Sequence, residues 1–381
     1  MTLRKTLQVT LPGEAATVKK QLLHWANAQT VAVCLDHNDH PAGPDHSWDF
    51  LAAAGVADEL RLPVGQAFPA LADWMRQRAD WCFGTFAYDL KNELERLDSK
   101  HPDGIGWPDL YFFQPEVVVG LRGDQMTVFS KNVDPQTVIE KIFNSAVPDL
   151  STLPAAAVPL QTRFQRSEYL ATVAAIREHI LAGDVYELNF CQEFFAEGLS
   201  LDPLAIFNQL NAFASAPFSA YFRLHDRYLC CASPERFLKK RGDQLISQPI
   251  KGTRGRGATP EEDAAIRQEL AASEKDRAEN VMIVDLVRND LARSCQPGSV
   301  RVVELFGIYT FETVHQMIST ITGTLRADQD GLSALRAAFP MGSMTGAPKV
   351  MAMQLIERYE RSRRGLYAGA VGYCTPNGDF D

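Results

Sequence analysis

Residues 219–250 read SAYFRLHDRYLCCASPERFLKKRGDQLISQPI. Two strand-rich stretches, Ser219–Ala232 and Arg236–Ile250, are each interrupted by a polar turn, at His225-Asp226 and at Arg241-Gly242-Asp243. Each reads as a β-hairpin. Back-to-back hairpins make antiparallel pairs, and no regular alternation of strand and helix surrounds them. The stretch therefore points to an α+β fold rather than a doubly wound parallel sheet.

Downstream, Thr259-Pro260-Glu261-Glu262 is a capping box with Pro at the first helical position. Helical sequence then runs to about Ser294, with a break near Ser273. Strand character returns from Val300 to Leu325, a helix covers about Ala347 to Tyr359, and Leu366–Thr375 reads as a strand. Asn377-Gly378 is a hairpin signal, yet only three residues follow it. The expectation is a C-terminally truncated chain.

Upstream, Ser167 is expected to cap a helix with Leu170, Val173, Ile176 and Ile180 on one side, ended by Gly183-Asp184. Asn144–Pro159 holds three prolines and small residues and reads as a linker. It separates an N-terminal region, 1–150, from a C-terminal region, 160–381. Within the first, Leu110–Leu121 reads as strand around a proline break, and Trp81–Leu97 begins aromatic and ends as a charged helix.

The 381 residues are 46% hydrophobic and 22% charged, as in ordinary globular proteins, and the net charge is -9. Such a balance lacks the basic footprint of sequence-independent nucleic-acid binding. Seven cysteines, odd in number and without C-x-x-C spacing, argue against a disulfide framework or a zinc ribbon and suggest a reducing cytoplasm. No signal sequence or membrane-spanning run is visible.

Three segments could carry chemistry. Gln248–Gly257, QPIKGTRGRG, ends a strand and opens a glycine-rich basic loop. Its N–H groups with Arg254 and Arg256 suit an anion, and Lys251, if partly desolvated, could be a nucleophile. A solvated basic loop accounts for it equally well. Glu274–Leu291, EKDRAENVMIVDLVRNDL, sets Asp285 inside an apolar run between Glu279 and Asp290. Embedded acids need a metal or basic partners, and an ion-pair network with Arg277, Arg288 and Arg293 is the favoured account. Phe339–Lys349, FPMGSMTGAPK, brings two glycines, Ser343 and Thr345 to a helix start, suited to a carboxylate or phosphate; Thr345 capping the helix is the plainer reading, and both can hold. His315, lone in TVHQMIST, is more often structural than catalytic.

Taken together, GDVYELNF, ASPERF, PIKGTRGRG, DRAENVMIVDLVRNDL, TVHQMIST, GSMTGAPK and LYAGAVGY resemble the chorismate-utilising enzymes, whose branches include anthranilate, aminodeoxychorismate, isochorismate and salicylate synthases. The resemblance covers about Ser167 to Asp381. It implies an anthranilate-synthase-like fold of two packed antiparallel β-sheets flanked by helices, with the site in a cleft between them.

Lysine in PIKGT, where anthranilate synthases usually have alanine, is similar to the aminodeoxychorismate branch. The resemblance implies that Lys251 attacks C2 of chorismate as the C4 hydroxyl leaves and that ammonia adds at C4. It makes Glu235 a general acid/base and Glu279 a ligand of Mg²⁺. Thr253, His315, Ser343, Thr345, Gly346 and Tyr367 are implied to shape the substrate site. Without a visible glutaminase, a glutamine amidotransferase partner is expected to supply ammonia. Alternatives are an anthranilate synthase, or a non-catalytic chorismate- or partner-binding protein. Two departures stand out. Glu187 occupies a position where many relatives carry Gln, and the family's later substrate-binding Arg and second metal-binding Glu are not in this sequence.

Overall fold

The computed structural model describes residues 4–40, 46–145 and 158–381. Most of the expected linker, 146–157, lies outside them. Two sheets organise the chain, and every paired strand in them is antiparallel.

The larger sheet has nine strands. Its main path runs Lys5–Thr10, Gln125–Ser130, Leu110–Arg122, Phe50–Leu62, Val31–Asp36, Phe218–Leu224 and Arg227–Ser233. Cys82–Phe86 pairs with both Leu110–Arg122 and Ala370–Cys374. Strands from both sides of the expected linker thus share one sheet.

Alternate residues serve opposite faces, as the two-residue period of a strand requires. Ala52, Ala54, Val117, Val119 and Tyr221 pack on helices Ala15–Asn27, Pro135–Phe143 and Pro203–Ala214. Leu51, Ala53, Val118, Val33 and Phe222 pack with Trp81, Phe83 and Tyr111 on the other face. Pro115 does not break its strand. It lies opposite Val56, next to a register shift that absorbs the missing donor.

The smaller sheet has five strands: Arg236–Arg241, Gln244–Gln248, Val314–Thr324 and Ile250–Gly255 in order, with Arg301–Thr310 also on Val314–Thr324. Leu238, Leu245 and Ile321 pack on Ile283, Val284, Val287 and Leu291 of helix Glu274–Ala292. An apolar cluster holding Phe86, Phe112, Phe237 and Phe339 joins the sheets. Beside it a cleft of about 1070 Å³ opens, lined by Phe112, Phe218, Cys230, Glu235 and Tyr367 among others.

Both hairpins form as read. Thr259 accepts from the Glu262 N–H with Pro260 at the first helical position, and Ser273 caps the next helix. At Asn377-Gly378 the chain turns back, and Phe380 exchanges backbone bonds with Lys240 at 2.9 and 3.2 Å.

Four details differ. Gln165, not Ser167, caps helix Arg166–Ala182, through a capping box with Glu168. On that helix Ile176 is buried while Leu170 and Ile180 are exposed, because no element among the described residues covers the rest of the stripe. The helix after Trp81 shrinks to Lys91–Leu94, behind the strand Cys82–Phe86. The last strand is Ala370–Cys374, shorter than expected. No helix among the described residues is long and apolar enough to cross a membrane.

Candidate active site

Glu235 sits where the chain crosses from the large sheet to the small one, between Arg227–Ser233 and Arg236–Arg241. Its Oε1 accepts the Ile250 N–H at 3.0 Å. The residue keeps some surface on the cleft, while protein atoms crowd its carboxyl. Burial pushes that carboxyl up to about 7, partly offset by Ser343, the Ile250 N–H and the charge of Lys251. A carboxyl poised near neutrality can both give and take a proton.

Lys251 follows Ile250 on the strand Ile250–Gly255. The pairing slips between Ile250 and Thr253, where Gly252 has a φ of 98°, a value that favours glycine. The Lys251 ammonium is largely buried, 3.6 Å from Glu187 Oε2. Its backbone carbonyl accepts from Asn280 Nδ2 at 3.2 Å, and the same amide group donates to the Met317 carbonyl at 3.3 Å. Asn280 Oδ1 accepts from the Ser319 hydroxyl at 2.6 Å. Asn280 is buried and follows Glu279 on helix Glu274–Ala292. One amide therefore clamps the Lys251 strand to its neighbour. Nothing in the sequence marked it, because an amide beside an acid in a helix reads as surface.

Glu187 lies on the short strand Glu187–Leu188, paired with Gly346–Ala347. A Cβ at Gly346 would stand 2.3 Å from the Glu187 carbonyl oxygen, so only glycine admits this approach. Arg364 ties the two segments from behind, donating to the Met344 and Asn189 carbonyls at 2.7 Å each while paired with Glu360 at 2.7 Å. Glu360 also accepts the Cys191 N–H at 2.9 Å. This buried pair was likewise missed.

The other expected residues divide. Ser343 is buried and, with Glu235, lines a small cavity of about 10 Å³. Thr345 is fully buried, its hydroxyl spent on the Met341 and Gly342 carbonyls. It closes a short turn rather than capping helix Lys349–Tyr359, whose cap is Pro348. Tyr367 borders the cleft and is mostly exposed. Thr253 is exposed on its strand.

Glu279, one-third exposed, pairs with Lys275 at 3.4 Å, and its charge raises the carboxyl of Glu187. Asp285 faces solvent beside Arg288. The buried acids of that helix are instead Asp276 and Asp290, the latter held by Lys349 at 2.6 Å.

His315 does not reach Lys251 through any hydrogen bond. It is buried between Thr310 at 3.0 Å and Asp263 at 2.9 Å. Asp263 also takes Arg256 and the Gly257 N–H, which hold its carboxyl well below the usual range. Arg254 pairs with Asp276 at 2.7 Å. The expected basic loop is in large part the strand Ile250–Gly255, and its arginines are answered by acids of the chain itself, which removes the argument for an anion site there.

A family described as chorismate binding enzyme matches residues 26–381. The chain belongs to that family. It is 40% identical over 300 residues to aminodeoxychorismate synthase component 1 of Klebsiella aerogenes, covering 78% of this chain and 66% of that protein. Against aminodeoxychorismate synthase of Streptomyces griseus it is 47% identical over 225 residues, 58% of this chain and 31% of the other. Anthranilate synthase component 1 of Thermus thermophilus is 35% identical over 307 residues, 78% of this chain and 66% of that protein. The matches thus span less than two thirds of these relatives' lengths.

The crystal structure of anthranilate synthase component I from Streptococcus pneumoniae superposes with a TM-score of 0.76 at 24% identity, covering 86% of this chain and 81% of that one. MenF, the menaquinone-specific isochorismate synthase of Escherichia coli, gives 0.70 at 15%, covering 100% and 85%. These support the fold expected from the sequence: antiparallel sheets with flanking helices.

Proposed function

We propose that the chain carries the chorismate site of an aminodeoxychorismate synthase component 1, a transferase that forms 4-amino-4-deoxychorismate from chorismate and ammonia. The observation that carries this is the lysine itself. Lys251 is largely buried, fixed at its backbone by Asn280, and near a carboxyl poised at about 7.

In this reading the Lys251 amine attacks C2 of chorismate while Glu235 protonates the departing C4 hydroxyl. Ammonia, delivered by a glutamine amidotransferase partner, then adds at C4 and the lysine leaves. Ser343, beside Glu235, would orient the substrate, and Tyr367 would border the entry. Thr253, Thr345, Gly346 and His315 would act by holding the site's backbone and loops, given the bonds they make.

Mg²⁺ enters through Glu279, which would contribute one hard oxygen donor. Among the described residues no group of three acidic, His or Cys side chains could hold a metal. The donor chemistry fits the ion, the number of donors does not, and no step is routed through it. The free cysteines suit a cytoplasmic setting. The two regions, 1–150 and 160–381, would then be a supporting half and a chorismate-binding half.

The test is product identification by chromatography and mass spectrometry after mixing the protein with chorismate, Mg²⁺ and ammonium salt. The expected product is 4-amino-4-deoxychorismate, abolished by Lys251→Ala. Anthranilate, surviving that substitution, would favour the anthranilate synthase reading instead.

A further inference from the structure

We propose that Glu187 is the proton partner of Lys251: it accepts the proton the lysine must lose before attacking, and returns it when the lysine departs. This deepens the reading above and rests on it.

The backbone around Glu187 is fixed on both sides. The Tyr186 N–H donates to the Ala347 carbonyl at 2.8 Å and the Asn189 N–H to that of Thr345 at 2.9 Å. Gly346 allows the close approach already described. The side chain is thereby aimed at Lys251, with Oε2 3.6 Å from the ammonium. The other oxygen, Oε1, is buried and makes no hydrogen bond. A buried carboxylate with a bare oxygen is poorly solvated, so it holds a proton more readily than an exposed one. Burial pushes this carboxyl up, against the opposing pull of Lys251. Lys349, on the helix packed behind, is engaged by Asp290 and the Ala338 carbonyl. Among the described residues, Lys251 and Glu279 are the charged groups that face Glu187.

The reaction balances with this partner. The Lys251 ammonium gives one proton to Glu187. The freed lone pair forms the N–C2 bond, both conjugated ring double bonds shift round the ring toward C4, and the C4–O bond breaks as Glu235 supplies a proton and water leaves. Ammonia adds at C4, the electron pair shifts back, and the N–C2 bond breaks. The lysine nitrogen recovers its proton from Glu187, and the new C4 ammonium returns one to Glu235. Glutamine at 187 would preserve shape and lose this exchange.

Two measurements on the full chain test the inference. The first is product formation by Glu187→Gln from about pH 7 to about pH 9.5. A deficit of about 100-fold near neutrality is expected. It should narrow as pH rises, because solvent then deprotonates the lysine directly. A deficit equal at every pH, or none at all, overturns the proposal, since an ion pair that only braces the lysine would give either. The second is independent of turnover: brief acetic anhydride labelling of Lys251 across the same range, read by mass spectrometry. Loss of the facing carboxylate should move the labelling profile to lower pH, and an unmoved profile overturns the pairing. If the unsubstituted protein makes no 4-amino-4-deoxychorismate, the reading of the product fails, and the labelling result alone then decides the Glu187 pairing.

Discussion

Replacing Glu235 by glutamine should stabilise the protein while disabling it, and the gain should depend on pH. An unfolded glutamate titrates near 4.5, whereas the folded carboxyl is carried to about 7 by burial. Below the first value both states hold the proton and nothing is lost. Between the two, the unfolded chain is ionised while the folded one keeps its proton, so stability falls as pH rises. Above about 7 the loss is complete. The interval corresponds to about 3 kcal/mol, reduced to about 2 because the carboxyl borders a solvent-filled cleft. Glutamine can still accept the Ile250 N–H and carries no charge to bury. The difference in unfolding free energy between variant and parent should be near zero at about pH 4.5 and grow to about 2 kcal/mol at about pH 8. Guanidinium titration followed by tryptophan fluorescence measures it. A difference that stays flat with pH, or a parent that is the more stable at alkaline pH, would refute the placement of this carboxyl against burial.

Two further substitutions probe the scaffold. Gly346→Ala places a methyl 2.3 Å from the Glu187 carbonyl at a φ of 150°; it should cost about 3 kcal/mol or more in thermal or denaturant unfolding and separate the strand bearing Glu187 from its partner. Asn280→Ala strands the Lys251 and Met317 carbonyls and the Ser319 hydroxyl; a loss of about 2–4 kcal/mol is expected, with turnover falling more than substrate affinity because the substitution loosens the nucleophile.

Much of this architecture was legible beforehand, for reasons that are local. The hairpins at 219–250 announce themselves through polar turns between strand-rich runs, Thr259 marks a helix start through its capping box, and the break expected near Ser273 is where the next helix begins. Lys251 and Glu235 were singled out by the motifs around them. What stayed hidden depends on distant partners. His315 could not be paired with Asp263, nor Arg364 with the Met344 carbonyl, until the fold brought them together. The stripe Leu170, Val173, Ile176 and Ile180 has the right spacing for burial, but spacing does not say whether anything lies opposite. Asp285 and Asp290 differ only by position on a helix, and the fold decides that the second goes inside with Lys349.

The large sheet has a consequence for how the chain comes to be folded. Cys82–Phe86 waits for Ala370–Cys374, and Val31–Asp36 waits for Phe218–Leu224. Early-synthesised strands must therefore wait with one edge bare until these later strands emerge. Sheets closed by such remote pairings form slowly, and bare edges invite association between chains. Yield of native protein should accordingly rise with slower synthesis or lower temperature, and residues 1–150 produced alone should aggregate rather than fold.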